Sequence, residues 1–289
     1  MKMKNNNGIE IKTTDIEFVL KNTVNDVNKL FAKELKLMDF LSFAARISPQ
    51  LSLLNLRYLY YKENLINEKL DADNKVLFSE IKTFEQWRKL DALVRQSETK
   101  LYLFCPVLNK ETKEIIFSAL PVYDLSSTNH IPKVIKKVDE ESFKQKVFSL
   151  WKDFEIYWIN DFEIRGNKLV LEKLNKSIFI NEKYANQSEN YLLIHEFAHK
   201  LANHTLEERQ NILKEYVVIK ACEMCLMSIN YLEQKTWMPK YEGYKALAII
   251  NSLSDKERYQ LLEEILDLGY KLIDKFSSSD DILKDEIYG

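Results

Sequence analysis

Glycine is scarce in this chain, with five among 289 residues, and cysteine is scarcer still, with three. So few glycines leave no glycine-rich loop to cradle a phosphate, which argues against a nucleotide-hydrolysing or dinucleotide-binding fingerprint. Cys105, Cys222 and Cys225 are too few and too poorly placed for a disulfide framework, so a reducing, cytoplasmic setting is expected. Cys222 and Cys225 have C-x-x-C spacing. They fall inside a helical pattern without a βαβ context, which makes them small core residues. No apolar run approaches the ~18 residues of a membrane span. The polar start, Met1 to Asn7, has no apolar signal-peptide core, so no membrane partner is expected.

Charge is abundant and unevenly spread. Residues 1–137 carry 22 Lys and Arg against 17 Asp and Glu, a net of +5, while residues 138–289 carry 20 against 27, a net of −7. A basic front and an acidic back point to two modules with different partners.

Histidine numbers only four, and three of them, His195, His199 and His204, lie within ten residues. His195-Glu196-Phe197-Ala198-His199 is an HExxH pentapeptide. On a helix, positions i and i+4 share a face, so both imidazoles can address one cation. A zinc site built this way takes three protein ligands and leaves a position for water, and Glu196 is placed to take the proton of that water. The competing reading is a surface helix with two ordinary histidines. The apolar flanks, Tyr191 to Ile194 before and Leu201-Ala202 after, argue against it, because unpaired polar groups on a buried helix are costly. Asn186 and Glu189 have the spacing of a capping box opening that helix.

A third ligand has to come from elsewhere. The helical stretch from about Glu207 to Leu232 offers Glu215 and Glu223, both in apolar settings, and periodicity does not separate them. His204 is a rival, but five residues beyond His199 it is rotated off the ligand face, and the longer zincin pattern with its glycine turn is absent.

Along the rest of the chain, residues 1–12 read as disordered and Thr14 to Ala45 as helical. Leu51 to Tyr61 is a tyrosine-rich helix, Val76 to Phe78 a short strand, and Phe84 to Trp87 a helical turn. Leu101 to Leu108 and Glu114 to Tyr123 form a hairpin around a loop at 109–113, with Pro106 at an edge or bulge. After a polar linker containing Pro132, placed at 131–140, come a helix from Glu141 to Phe154 and strands at 154–159, 168–174 and 176–181. The last strand leads into the HExxH helix, and its edge near Phe179 is expected to align an extended peptide. Tyr241 to Ser252 and Lys256 to Phe276 are helical.

Two sets of residues resemble known families. The strand, HEFAH helix and following helix resemble the gluzincin-like metallopeptidases of the ImmA/IrrE type, whose third ligand is the glutamate of an E-x-x-A helix. Lys214 to Val218 (KEYVV) matches there at Glu215, with Val218 and Cys222 in place of small alanines. In the front half, Leu51 to Asn55 (LSLLN), Phe84 to Leu90 (FEQWRKL), Val94 to Lys100 (VRQSETK), Leu103 to Val107 (LFCPV) and Pro121 to Leu125 (PVYDL) resemble the antirestriction ArdC family. That family joins a domain binding single-stranded DNA to a zinc-metallopeptidase-like domain. Its G-x-x-V-x-K-G-E-K stretch is here Asp91 to Lys100 with both glycines gone, which puts a backbone–phosphate approach in doubt.

The resemblance implies an α+β chain. A mixed α/β domain binding single-stranded DNA (residues 13–130) would precede a mostly helical zincin-like domain with a small sheet (141–289). It implies Zn2+ on His195, His199 and Glu215, with Glu196 as catalytic base. Single-strand binders pair aromatic platforms with cations, which nominates Tyr58, Tyr61 and Trp87 for bases and Arg57, Arg88, Lys89, Arg95 and Lys100 for phosphates. The alternatives are a regulatory metallopeptidase that cleaves a protein or peptide partner and a non-enzymatic binding protein with a structural metal.

Overall fold

The computed structural model describes residues 27–47, 50–95, 101–108, 115–131, 140–159, 169–172, 176–182, 189–205, 207–229 and 240–278. Among them the protein is α+β and mostly helical, with two three-stranded sheets. The chain divides into two compact units, Met1–Ile135 with Leu253–Gln260, and Lys136–Ser252 with Leu261–Gly289. No described helix is long and apolar enough to cross a membrane.

In the first unit, residues 27–31 are helical, the chain breaks at Ala32-Lys33, and a helix runs Glu34–Arg46. Leu37, Phe40, Leu41 and Ala44 recur at three- and four-residue spacing and are all buried, which is what an amphipathic helix on a core requires. The next helix is Leu53–Asn67, longer than its tyrosine-rich segment suggested. The sheet is β1 (Ile81–Lys82), β3 (Ile115–Asp124) and β2 (Leu101–Leu108), in that order and antiparallel. Pro106 thus lies on an edge strand, where a missing N–H costs no ladder bond. Asn55 acts as a one-residue partner for that edge: its amide donates to the Phe104 carbonyl at 3.1 Å and accepts the Phe104 N–H at 2.7 Å.

The strand expected at Val76 to Phe78 does not form. Side chains satisfy its backbone instead. Asn67 brackets Val76, donating to its carbonyl and accepting its N–H at 2.8 Å each, while Glu63 accepts the Phe78 N–H and Arg46 donates to the Phe78 carbonyl at 2.9 Å. Apolar residues marked a chain segment against the core, but its polar groups were already taken.

The second unit opens with a helix at Glu140–Ser149 and a sheet in the order β4 (Glu155–Ile159), β6 (Ser177–Asn181), β5 (Leu169–Glu172). β6 pairs parallel to β4 and antiparallel to β5. The expected free edge near Phe179 is therefore wrong. β6 is the central strand, Phe179 lies in register with Tyr157 and Val170, and the Tyr157 ring stacks on it at 5.4 Å. The histidine helix, Glu189–Leu201, buries Leu193, Ile194 and Ala198 completely. Trp151 anchors it by donating its indole N–H to the Leu193 carbonyl at 3.1 Å. Asn186, expected to cap this helix, lies outside the described residues.

The glutamate helix, Ile212–Ser228, is buried without interruption from Tyr216 to Leu226. A helix covered on every face carries no polar stripe, so its sequence shows no amphipathic period. Helices Lys240–Ser252 and Asp255–Ser278 follow. Within the second unit Gly269 lies against Met224 of the glutamate helix so closely that a β-carbon there would stand 2.6 Å from the Met224 sulfur.

Candidate metal centre

The HExxH spacing does what helix geometry asks of it. His195 and His199 turn the same way, and their Nε2 atoms stand 3.1 Å apart. Glu215, in the first turn of the glutamate helix, brings Oε2 to 3.2 Å from each. Tetrahedral ligands about 2.0–2.1 Å from a zinc ion are separated by roughly 3.3 Å. Two imidazole nitrogens and one carboxylate oxygen in a triangle of this size thus fit a divalent cation in both spacing and donor chemistry, and leave one side open.

Local sequence explains why Glu215 arrives there. Asn211 caps the glutamate helix, its side-chain oxygen accepting the N–H groups of Leu213 and Lys214 at 2.9 and 3.3 Å. A carboxylate one turn in also suits the positive end of the helix dipole. Glu223 has a different partner. It is fully buried and takes a hydrogen bond from the equally buried Lys220 ammonium at 2.7 Å. A fully buried carboxylate needs a positive neighbour, which Glu223 has in Lys220, whereas the partly exposed Glu215 faces the two imidazoles.

Burial alone would raise the Glu215 carboxyl, but hydrogen bonds and charge from His195 and His199 outweigh it and hold the group well below the usual carboxylate range. Glu196, next to His195, is mostly buried and ion-paired with the Arg209 guanidinium. Arg209 comes from the short turn Glu208–Gln210 between the two helices, and sequence reasoning missed it because a lone arginine in a loop carries no periodic signal.

His204 is not at the open face. Its Nδ1 stands 3.0 Å from Nδ1 of His199, behind the ligand ring. Burial and the neighbouring His199 lower its pKa. Cys222 and Cys225 are core residues whose thiols burial pushes up, whereas Cys105 is exposed.

Two of the rings nominated for DNA are buried. Trp87 is fully buried against Ala92 and Leu125 and donates its indole N–H to the Tyr123 carbonyl at 3.0 Å. Tyr58 is 2% exposed and packs edge-on against Phe104. Neither ring offers a face to a base, which corrects both assignments: aromatic content marked a core. Arg88, Lys89 and Arg95 are exposed, and Lys100 lies outside the described residues.

Arg57 and Tyr61 do come together. They line a cavity of about 530 Å³ within the first unit. Lys29, Lys36 and Lys75 add positive charge there, Tyr60 adds a second ring, and Asp39 and Glu68 supply the opposing carboxylates.

No protein-family model and no curated protein matches the sequence. Among solved structures the chain is similar to the crystal structure of the antirestriction ArdC protein from the R388 plasmid in its Mn(II)-bound form. The identity is 12%, the TM-score is 0.41, and the match covers 77% of this chain and 87% of that one. The metal-free structure of the same protein gives 12% identity and a TM-score of 0.42, covering 78% and 85%.

Proposed function

We propose that the second unit is a metal-dependent, peptidase-type hydrolase site. His195, His199 and Glu215 would hold one divalent cation, with zinc the ion their donor set favours. The observation that carries this reading is the triangle of Nε2, Nε2 and Oε2 atoms at 3.1–3.2 Å. Such a cation, when bound, supplies Lewis-acid polarisation of a scissile carbonyl and of water. Glu196 takes the proton from the attacking water and returns it to the leaving amine. Arg209 pairs with Oε2 of Glu196 and so fixes the orientation of that carboxylate. The test is Glu196→Gln. It should keep the bound ion and lose about 10²–10⁴-fold in hydrolysis of a peptide substrate; retained cleavage would refute Glu196 as the base.

For the first unit we propose single-stranded nucleic acid as the ligand, held at the cavity around Arg57 and Tyr61. Lys29, Lys36 and Lys75 meet phosphates there while the exposed Tyr61 offers a stacking face, and Arg57, only 8% exposed, adds its charge from the cavity wall. The resemblance of both halves to the antirestriction ArdC family supplies the biological setting in this reading, protection of incoming mobile DNA from restriction. Fluorescence anisotropy with single- and double-stranded oligonucleotides at two salt concentrations tests it. Binding should favour the single strand and weaken with salt. No binding at low salt would leave a metallopeptidase directed at a protein partner.

A further inference from the structure

We propose that His204 is a positioning residue that fixes the tautomer and ring orientation of His199 and so sets the metal affinity of the centre; this rests on the reading of His195, His199 and Glu215 as ligands. The end of the histidine helix places it there. Asn203 takes a left-handed conformation with φ 55°. Its N–H donates to the Lys200 carbonyl at 3.2 Å, and the His204 N–H donates to the His199 carbonyl at 3.1 Å. These two bonds, the inner spanning three residues and the outer five, define a Schellman cap. The cap reverses the chain and brings its second post-helical residue back over the third residue from the helix end. In most such caps that contact is hydrophobic. Here it is imidazole on imidazole, with ring centres 5.2 Å apart.

Proton bookkeeping then assigns the roles. His199 is 1% exposed and His204 8%, and their Nδ1 atoms are 3.0 Å apart, so one of the two must donate. His199 presents Nε2 to His195 and Glu215, and a nitrogen that binds a cation must keep its lone pair there. A neutral imidazole carries one proton, so that of His199 sits on Nδ1. His199 therefore donates, His204 accepts at Nδ1, and His204 keeps its own proton on Nε2. His204 cannot then be a ligand through Nδ1, and it lies across the His199 ring from the open face. His195 lacks this support: its buried Nδ1 has no partner among the described residues. The centre is thus held from behind at His199, through a residue five positions beyond the motif.

The experiment is Zn2+ titration of the full chain against a chromophoric chelator. It is paired with long-range 1H–15N spectra of histidine-labelled protein loaded with Zn2+. His204→Ala should bind one ion with an affinity lower by about 10–100-fold, the usual loss when such a partner is removed. His204→Gln, whose side-chain oxygen can accept the same proton, should recover most of it. The wild-type spectra should show His199 protonated at Nδ1 and His204 at Nε2.

Should His204→Ala fail to fold, Asn203 gives a second route. Asn203→Gly preserves the left-handed turn and the affinity, whereas Asn203→Val disfavours the turn and lowers the affinity. Unchanged affinity in His204→Ala and Asn203→Val, or a metal-shifted His204 nitrogen, would overturn the positioning role while leaving the ligand triad standing. A wild-type chain that takes up no Zn2+ at all would remove the triad, and the role of His204 with it.

Discussion

Glu215 and Glu223 lie eight residues apart on one helix and do different work because of what each meets. Replacing Glu215 by Gln should abolish stoichiometric metal binding and with it the stabilisation that the bound ion supplies. Replacing Glu223 by Gln leaves the buried Lys220 ammonium without its carboxylate, which should cost about 3–5 kcal/mol while the metal site survives. Urea denaturation beside metal analysis separates the two. The pH dependence follows from Glu215. Its folded-state pKa is depressed by the two imidazoles, so the stability it contributes is present above its ordinary value of 4.5 and is lost as pH falls through the folded value. In metal-free protein, wild type should therefore lose stability more steeply than Glu215→Gln as pH falls below about 4.5. The cysteines give a further check. Exposed Cys105 should react quickly with a thiol reagent, and buried Cys222 and Cys225 only after denaturation.

Helix ends decide the geometry of this centre as much as the ligands do. Asn211 caps the glutamate helix one turn before Glu215. Asn211→Ala should lower stability by about 1 kcal/mol and also weaken metal binding, because fraying that turn moves the third ligand. Metal titration and thermal denaturation of the one variant check both effects. At this scale the sequence was readable where the signal is local. HExxH placed two imidazoles on one helical face. Thr83 and Gln86, the latter accepting the Thr83 N–H at 2.8 Å, close the capping box of the short Phe84–Arg88 helix expected there.

It was not readable where the answer depends on distant partners. Periodicity could not choose between Glu215 and Glu223 on a helix buried all round. Nothing local could tell that β6 is flanked on both sides, since β4 and β5 reach it from separate segments. Tyr58 and Trp87 read as stacking platforms because aromatic residues look alike in a core and on a surface. His204 was counted by helical angle beyond the point where the helix stops. Asn203, a residue that tolerates the left-handed conformation, was the local sign of that stop.

The two units invite different measurements on the whole chain. In the first, Lys36→Ala with Lys75→Ala should weaken single-strand binding and reduce its salt slope by about 1.4, at ~0.7 per phosphate contact. Tyr61→Ala should cost about 1–3 kcal/mol of binding if a base stacks there. Trp87→Ala should instead destabilise the unit by about 3–5 kcal/mol, as core truncation does. In the second unit, bound metal stabilises only the folded form, so chelation should lower its thermal midpoint and re-addition of Zn2+ should restore it. The most direct test is elemental analysis of the chain purified without added metal, alongside His195→Ala, His199→Ala, Glu215→Gln and Glu223→Gln. One divalent ion per chain in the wild type and in Glu223→Gln, and none in the other three, is the expected result. A wild type without stoichiometric metal, or a Glu215→Gln chain that keeps it, would contradict the account.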